Sequence, residues 1–362
     1  MPSPTRSSSR PSDLVLHIGS GKTGTTSIQE FLHRNRPRLA DLGVLYPRTP
    51  GRRRHLRLSM FVQDDEALDR IPHWHRQRFT SPTEFRKAFR RRLSREIDRS
   101  GLSRVLLSDE GLYGSRDQSL RELHRLLDPI AGSLRVVVYL RRQDDHMVSR
   151  YQQVVKAGET RRLEVRTREL DLSKTYDYYA RLRKWERLVG PTELVVRRFE
   201  RASFVEGSLF QDFFEAAGID ARADDLDDVE TQNESLDAEA VEFLRLYNLY
   251  RLEHAGGRGG LIHNRSLVTR LAQHATGPTL TMPDSFLDEF MANWEESNQR
   301  VAREILGEES GELFRTPRKS RNTTTVQQLD PARLDHFINL LELPEHVHEP
   351  LRRLVELEAV AR

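Results

Sequence analysis

Leu14-Val15-Leu16-His17-Ile18 runs straight into Gly19-Ser20-Gly21-Lys22-Thr23-Gly24-Thr25-Thr26, and the reading of this stretch decides the fold. A short, mostly apolar run closed by turn residues is the pattern of a strand buried on both faces. Behind the glycines, from about Ser27, the residues Ile28, Phe31 and Leu32 recur at helical spacing. Strand, glycine-rich loop and helix, in that order, open a phosphate-binding α/β domain. Backbone N–H groups in such a loop converge at the positive end of the helix dipole and form an anion cradle. Lys22 adds a compact positive charge, and Thr25 and Thr26 add hydroxyl donors.

The same alternation continues outward. Val105-Leu106-Leu107, the run 134–140 and Leu194-Val195-Val196 predict further strands, with helical spacing over 83–99, 116–128, 143–157 and 176–189 between them. Apolar strands separated by amphipathic helices imply a central parallel sheet flanked by helices on both faces. From residue 203 onward the pattern predicts mostly helices, over 203–217, 235–254, 284–307 and 331–360, with Gly256-Gly257-Arg258-Gly259-Gly260 as a loop among them. The expected organisation is a disordered tail at 1–12, a main domain at 13–315, and a linker and helix at 316–362.

Composition narrows the classes. The 362 residues hold 58 Lys+Arg and 55 Asp+Glu, and no cysteine, which excludes disulfides, thiol catalysis and cysteine-held zinc. Six lysines stand against 52 arginines, so where lysine is used a compact ammonium matters more than a planar fork. Residues 51–100 carry 14 Lys+Arg and 7 Asp+Glu, a basic insert suited to a solvated surface or to an anionic acceptor. Residues 220–239 are dense in Asp and Glu. No window approaches the ~18 apolar residues of a membrane span, and Met1–Asp13 lacks the apolar core of a secretory signal. The expectation is a cytoplasmic protein with no integral span, and no recognition module points to nucleic acid.

The identity of the anion turns on which known loop these residues resemble. Gly21-Lys22-Thr23 looks like the end of a nucleotide-triphosphate loop, but the first glycine that loop requires falls at Leu16. Lys22-Thr23-Gly24-Thr25-Thr26, with glycine after lysine, resembles instead the 5′-phosphosulfate loop of sulfotransferases that use PAPS (3′-phosphoadenosine 5′-phosphosulfate). A second stretch is similar to the same family. At the end of the strand over 134–140 comes Arg141, followed eight residues later by Ser149, with Asp145, Val148 and Tyr151 also matching. A guanidinium offers forked donors to a phosphate, and Ser149 lies about two helical turns on. Val105–Tyr113, Arg198-Phe199-Glu200 with Gln211-Asp212-Phe213, and the run 294–306 extend the likeness to bacterial, carbohydrate-type members. Two departures stand out: Ser27 replaces an aromatic that often follows the threonines, and the acceptor-site histidine motif of the small-molecule type is absent.

The resemblance implies a P-loop-type three-layer fold with a helical C-terminal part, and PAPS as co-substrate with no metal required. It implies that Gly21, Lys22, Thr23, Gly24, Thr25 and Thr26 hold the 5′-phosphate, with Lys22 catalytic at the bridging oxygen, and that Arg141 and Ser149 hold the 3′-phosphate. The acceptor is a hydroxyl, on a carbohydrate or glycolipid by analogy. Glu110 is the first candidate base, at the C-terminal end of a strand where open α/β sheets bind ligands, followed by Asp109 and His55. His17 reads as a strand residue packed near the loop. Two rival readings stay open: a P-loop kinase or NTPase using ATP-Mg, in which Asp109 helps hold the metal, and a non-enzymatic polyanion binder built on 51–100.

Overall fold

The computed structural model describes residues 12–229, 235–254, 265–318 and 325–360. The chain divides into two compact units. The first gathers Met1–Arg141, Ser173–Thr231 and Glu296–Thr316, and the second gathers Arg142–Leu172, Gln232–Glu295 and Pro317–Arg362.

The first unit is an α/β layer structure around a five-stranded parallel sheet. Its strands are β1 (Ser12–His17), β2 (Val44–Leu45), β3 (Arg104–Ser108), β4 (Ala131–Leu140) and β5 (Glu193–Arg198), in the order β2-β3-β1-β4-β5. Successive residues of a strand face opposite sides. Leu14, Leu16, Val105, Leu107, Val136 and Val138 point into one core, filled by Phe85, Phe89, Leu120, Leu123, Leu182 and Trp185 from the covering helices. Val15, Leu106, Val137 and Tyr139 point into the other, against Ile28, Phe31, Leu32, Phe213 and Phe214. Both faces are covered, which is why these strands read as continuous apolar runs.

Strand order fixes where a ligand fits. From β1 the chain moves toward β2 and β3, whereas from β4 it moves the other way to β5, so the direction reverses between β1 and β4. In open parallel sheets the crevice beyond the strand ends at such a point is the binding position. The loop 18–24 leaves β1 there, and Arg141 follows β4 directly.

The second unit is helical. Helix Gln143–Lys156 packs on Ala238–His254, which also packs on Glu345–Val360. Arg245, 2% exposed, pairs there with Glu242 and Glu358 and donates to the Thr160 carbonyl.

Several elements differ from the sequence expectation, and the helices Leu56–Val62, Leu163–Glu169 and Arg265–His274 answer to no expected element. Strand β2, two residues long, carries no periodicity to read. The helix expected over 203–217 starts at Leu209, because Ser208 accepts from the Gln211 N–H and two short 3-10 turns precede it. The helix expected over 284–307 is interrupted after Ala292, where the Asn293 amide donates to the Glu289 and Phe290 carbonyls, and helical structure resumes over Glu295–Arg300 and Val301–Ile305. The one over 331–360 breaks where Glu342 takes a left-handed φ of 51°. The tail at 1–11 and the glycine stretch 256–260 lie outside the described residues. Among the described residues, no helix is long and apolar enough to cross a membrane.

The sheet core should be intolerant of voids. Leu107, fully buried between β1 and the helices on its face, is expected to lose about 2–5 kcal/mol when cut to alanine. A fall in the urea midpoint of first-unit unfolding reads this out, and an unchanged midpoint would mean the face is not closed.

Candidate functional site

After β1 the backbone turns left-handed four times in six residues: φ is 45° at Gly19, 77° at Gly21, 51° at Lys22 and 71° at Gly24. Turns of this kind aim successive N–H groups at one point. Two of the glycines are also sterically required. A Cβ on Gly19 would stand 2.4 Å from the Thr25 methyl, and one on Gly24 would stand 2.5 Å from Leu209. Lys22 has no such excuse, and a non-glycine residue in this region costs roughly 1–2 kcal/mol. Strain of this size persists where the surroundings hold it, and it gathers at functional sites.

The helix Thr25–Arg34 begins at once, and its N-cap, Gly24, supplies no side-chain acceptor to the first-turn N–H groups. Around the loop, Ser20 Oγ donates to the Tyr139 carbonyl at 2.8 Å, and Arg141 Nη1 donates to the Lys22 carbonyl at 3.1 Å. The Arg141 guanidinium also lies over the Phe199 ring, and Phe199 in turn walls Gly24. Two buried polar atoms near the loop have no hydrogen-bond partner: Thr23 Oγ1 and His17 Nε2. The His17 ring nitrogen would come within 3.6 Å of a Cβ on Gly19. Thr25 is buried, Thr26 is exposed, and Gly21, Lys22 and Gly24 are half-buried.

At the end of β3 a second group forms. Arg54 forks across two carboxylates, with Nε 2.9 Å from Asp109 Oδ1 and Nη1 2.9 Å from Glu110 Oε1. Asp109 is fully buried, and it also accepts from the Ser59 and Gly111 N–H groups, both at 3.0 Å. Burial and the neighbouring Glu110 push its carboxyl above the usual range, against the pull of Arg54. Glu110 stays partly open, and its Oε2 accepts from Gln29 Nε2 at 2.7 Å. Gln29 also reaches Ser108 Oγ at 3.2 Å, and His17 Nδ1 lies 2.9 Å from the same hydroxyl. One polar chain thus runs from beneath the loop to the open carboxylate.

Placed in this frame, the candidates divide. Gly21, Lys22, Thr23, Gly24, Thr25, Thr26 and Arg141 sit together at the β1–β4 reversal, all within the first unit. Glu110 lies on the same sheet edge, joined to the loop side through Gln29 and Ser108. Asp109 has both oxygens engaged and holds Arg54 and the 109–111 turn in place. His55 is fully buried, stacked on Tyr46, with Nδ1 accepting from the Ser108 N–H. Ser149 is half-buried on helix Gln143–Lys156, in the second unit. Sequence reasoning passed over Arg54 and Gln29. A signal for Gln29 was present: it shares a helix face with Thr25, Ile28 and Leu32, so a polar residue sits within a buried stripe.

Two expected outcomes follow from this geometry. Lys22→Gly relieves roughly 1–2 kcal/mol of left-handed strain against about 0.5–1 kcal/mol of added chain entropy. The variant should therefore unfold at a urea midpoint no lower than wild type, and a clear loss of stability would mean the lysine side chain, not the loop, holds the turn. Burial lowers His17 and His55 from 6.5 to about 3. The unfolded chain takes up these protons near pH 6.5 and the folded one only near pH 3, so their contribution is full above pH 6.5 and lost as pH falls. His55→Asn, which keeps an acceptor for the Ser108 N–H, should flatten stability against pH between 6 and 4 by about 1.4 kcal/mol per unit. An unchanged slope would mean His55 is protonated in the folded protein.

No known family model matches the chain, and no solved structure is similar to it. An uncharacterized protein from Archaeoglobus fulgidus is 38% identical over 86 residues, a match that spans 24% of this chain and 23% of the relative's length.

Proposed function

We propose that this chain is a sulfotransferase that moves the sulfuryl group of PAPS to an acceptor hydroxyl. The observation that carries the reading is the loop 19–24. It has left-handed backbone at four positions, a strained lysine among them, and a helix N-terminus directly behind it. The buried Thr23 hydroxyl, which lacks a protein partner, supports a ligand with acceptor oxygens at the loop. PAPS, when bound, supplies the sulfuryl group and a leaving phosphate that is already a stable anion.

The residues then divide the work. The N–H groups of 23–26 hold the 5′-phosphate, and Lys22 offsets the charge that grows on the oxygen leaving sulfur. Arg141 reads a second phosphate, and its bond to the Lys22 carbonyl, which holds it beside the loop, supports this role. Ser149 is assigned to the 3′-phosphate from the sequence pattern alone. Glu110 takes the acceptor proton; Arg54 and Gln29 fix its two oxygens in direction. The basic segment 51–100 favours an acceptor with acidic character, such as a glycan or glycolipid hydroxyl. The kinase reading needs Asp109 for a metal, and the full engagement of Asp109 by Arg54, Ser59 and Gly111 weighs against it.

The discriminating measurement is a thermal shift with PAP (the desulfated product), ATP with Mg²⁺, and adenosine 5′-phosphate. A ligand at 100 times its Kd adds about 2.7 kcal/mol, a rise of roughly 2–4 °C for a domain of this size. PAP alone should give that rise, and Arg141→Ala should reduce PAP to the level of adenosine 5′-phosphate. A rise with ATP-Mg²⁺ and none with PAP would transfer the loop to the kinase reading.

A further inference from the structure

Away from the loop, the first unit holds a cavity of about 310 Å³ lined by Arg48, Thr49, Arg57, Phe79, Phe85, Phe89, Arg92 and Glu96. That volume is at the lower end of small-molecule sites. Its floor is aromatic: Phe79 and Phe85 meet edge to face at 5.3 Å, and Phe85 and Phe89 lie 5.8 Å apart. Phe85, Phe89, Arg92 and Glu96 share one face of helix Pro82–Ser100, so that helix supplies both floor and rim.

The rim is cationic. Arg57 is held rigidly, with Nη1 on the Thr49 carbonyl at 3.1 Å and Nε and Nη2 on Gln77 Oε1 at 3.2 and 3.1 Å. Arg92 lies over the Phe79 ring, 5.8 Å from its centre. Glu96 is the one carboxylate in the lining, and it is already spent on the backbone: Oε1 accepts from the Arg48 N–H at 2.6 Å and Oε2 from the Thr49 N–H at 2.8 Å. Two guanidiniums, Arg57 and Arg92, therefore stand at the rim beside one engaged counter-charge. Burial and the charge of Arg92 both lower the pKa of Arg57, as expected of a cation short of an anionic neighbour.

We propose that this cavity is a second ligand site, which binds a small anion on a flat apolar body: an aromatic carboxylate, sulfate or phosphate. The ring packs on Phe79, which Phe85 and Phe89 back from the core, and the anionic group is taken by Arg57 and Arg92, whose planar forks suit oxyanions. None of the loop residues 19–26 lines this cavity, so the proposal stands apart from what the loop holds.

Calorimetric titration of the full chain with 2-naphthoate tests it, with 2-naphthol and acetate as probes lacking the charge or the ring. Naphthoate should bind, with each control at least tenfold weaker. Arg92→Gln, at an exposed position, should weaken naphthoate fivefold or more while leaving the thermal shift by PAP as in wild type; Phe79→Leu should weaken it as well. No heat from naphthoate at millimolar concentration would overturn the proposal. So would equal affinity for naphthol, or an unchanged affinity in both variants.

Discussion

A strand hydrogen-bonded on both edges and covered on both faces leaves its chain one exit, past its C-terminal end. β1 is such a strand, held between β3 and β4 with Leu14 and Leu16 in one core and Val15 in the other. The chain must reverse there within a few residues to lay Ile28, Phe31 and Leu32 back on the sheet. Left-handed backbone at Gly19, Gly21, Lys22 and Gly24 achieves this. The left-handed loop is thus a consequence of closing the core, and the strain at Lys22 is maintained by the packing on both sides of β1.

Electrostatics at the neighbouring strand end follow from one arginine. Arg54 offers its fork to two adjacent carboxylates that live in different surroundings. Asp109 is sealed in with hydrogen bonds from the backbone, so it acts as part of the frame. Glu110, one residue on, faces outward and keeps only side-chain partners. A pair of identical functional groups is separated into support and candidate chemistry by burial alone, a recurring way for one fold to assign roles. The same fork ties the basic insert to the sheet edge, so residues 51–62 have a fixed position.

Much of this was legible in the amino-acid order, and the reasons are specific. Strands buried on both faces appear as unbroken apolar runs, so β1, β3 and β4 could be read, and the edge strand β5 showed through Leu194-Val195-Val196, whereas β2 is too short to have a pattern. The loop was readable because glycine, lysine and threonine each answer a local need. Arg54 was not, since it meets Asp109 across 55 residues of chain, and Gln29 showed only as a polar residue in a buried stripe, its partner Glu110 lying 81 residues on. The helix ends at Leu209 and Asn293 depend on single side chains bonding to nearby backbone, a competition that periodicity does not register. The two units were illegible because each is assembled from three separated segments.

That interleaving has a consequence for how the protein comes into being. The first core includes Val301, Ala302 and Leu313, and the second unit draws on 317–362. A ribosome making this chain has exposed the whole sheet long before either interior can be completed. Five parallel strands, slow to pair and rich in unshielded apolar surface, must wait for residues 301–313, which follow β5 by more than a hundred positions. The sheet is therefore complete in sequence well before its core is complete in space, so apolar strand surface stays open during synthesis.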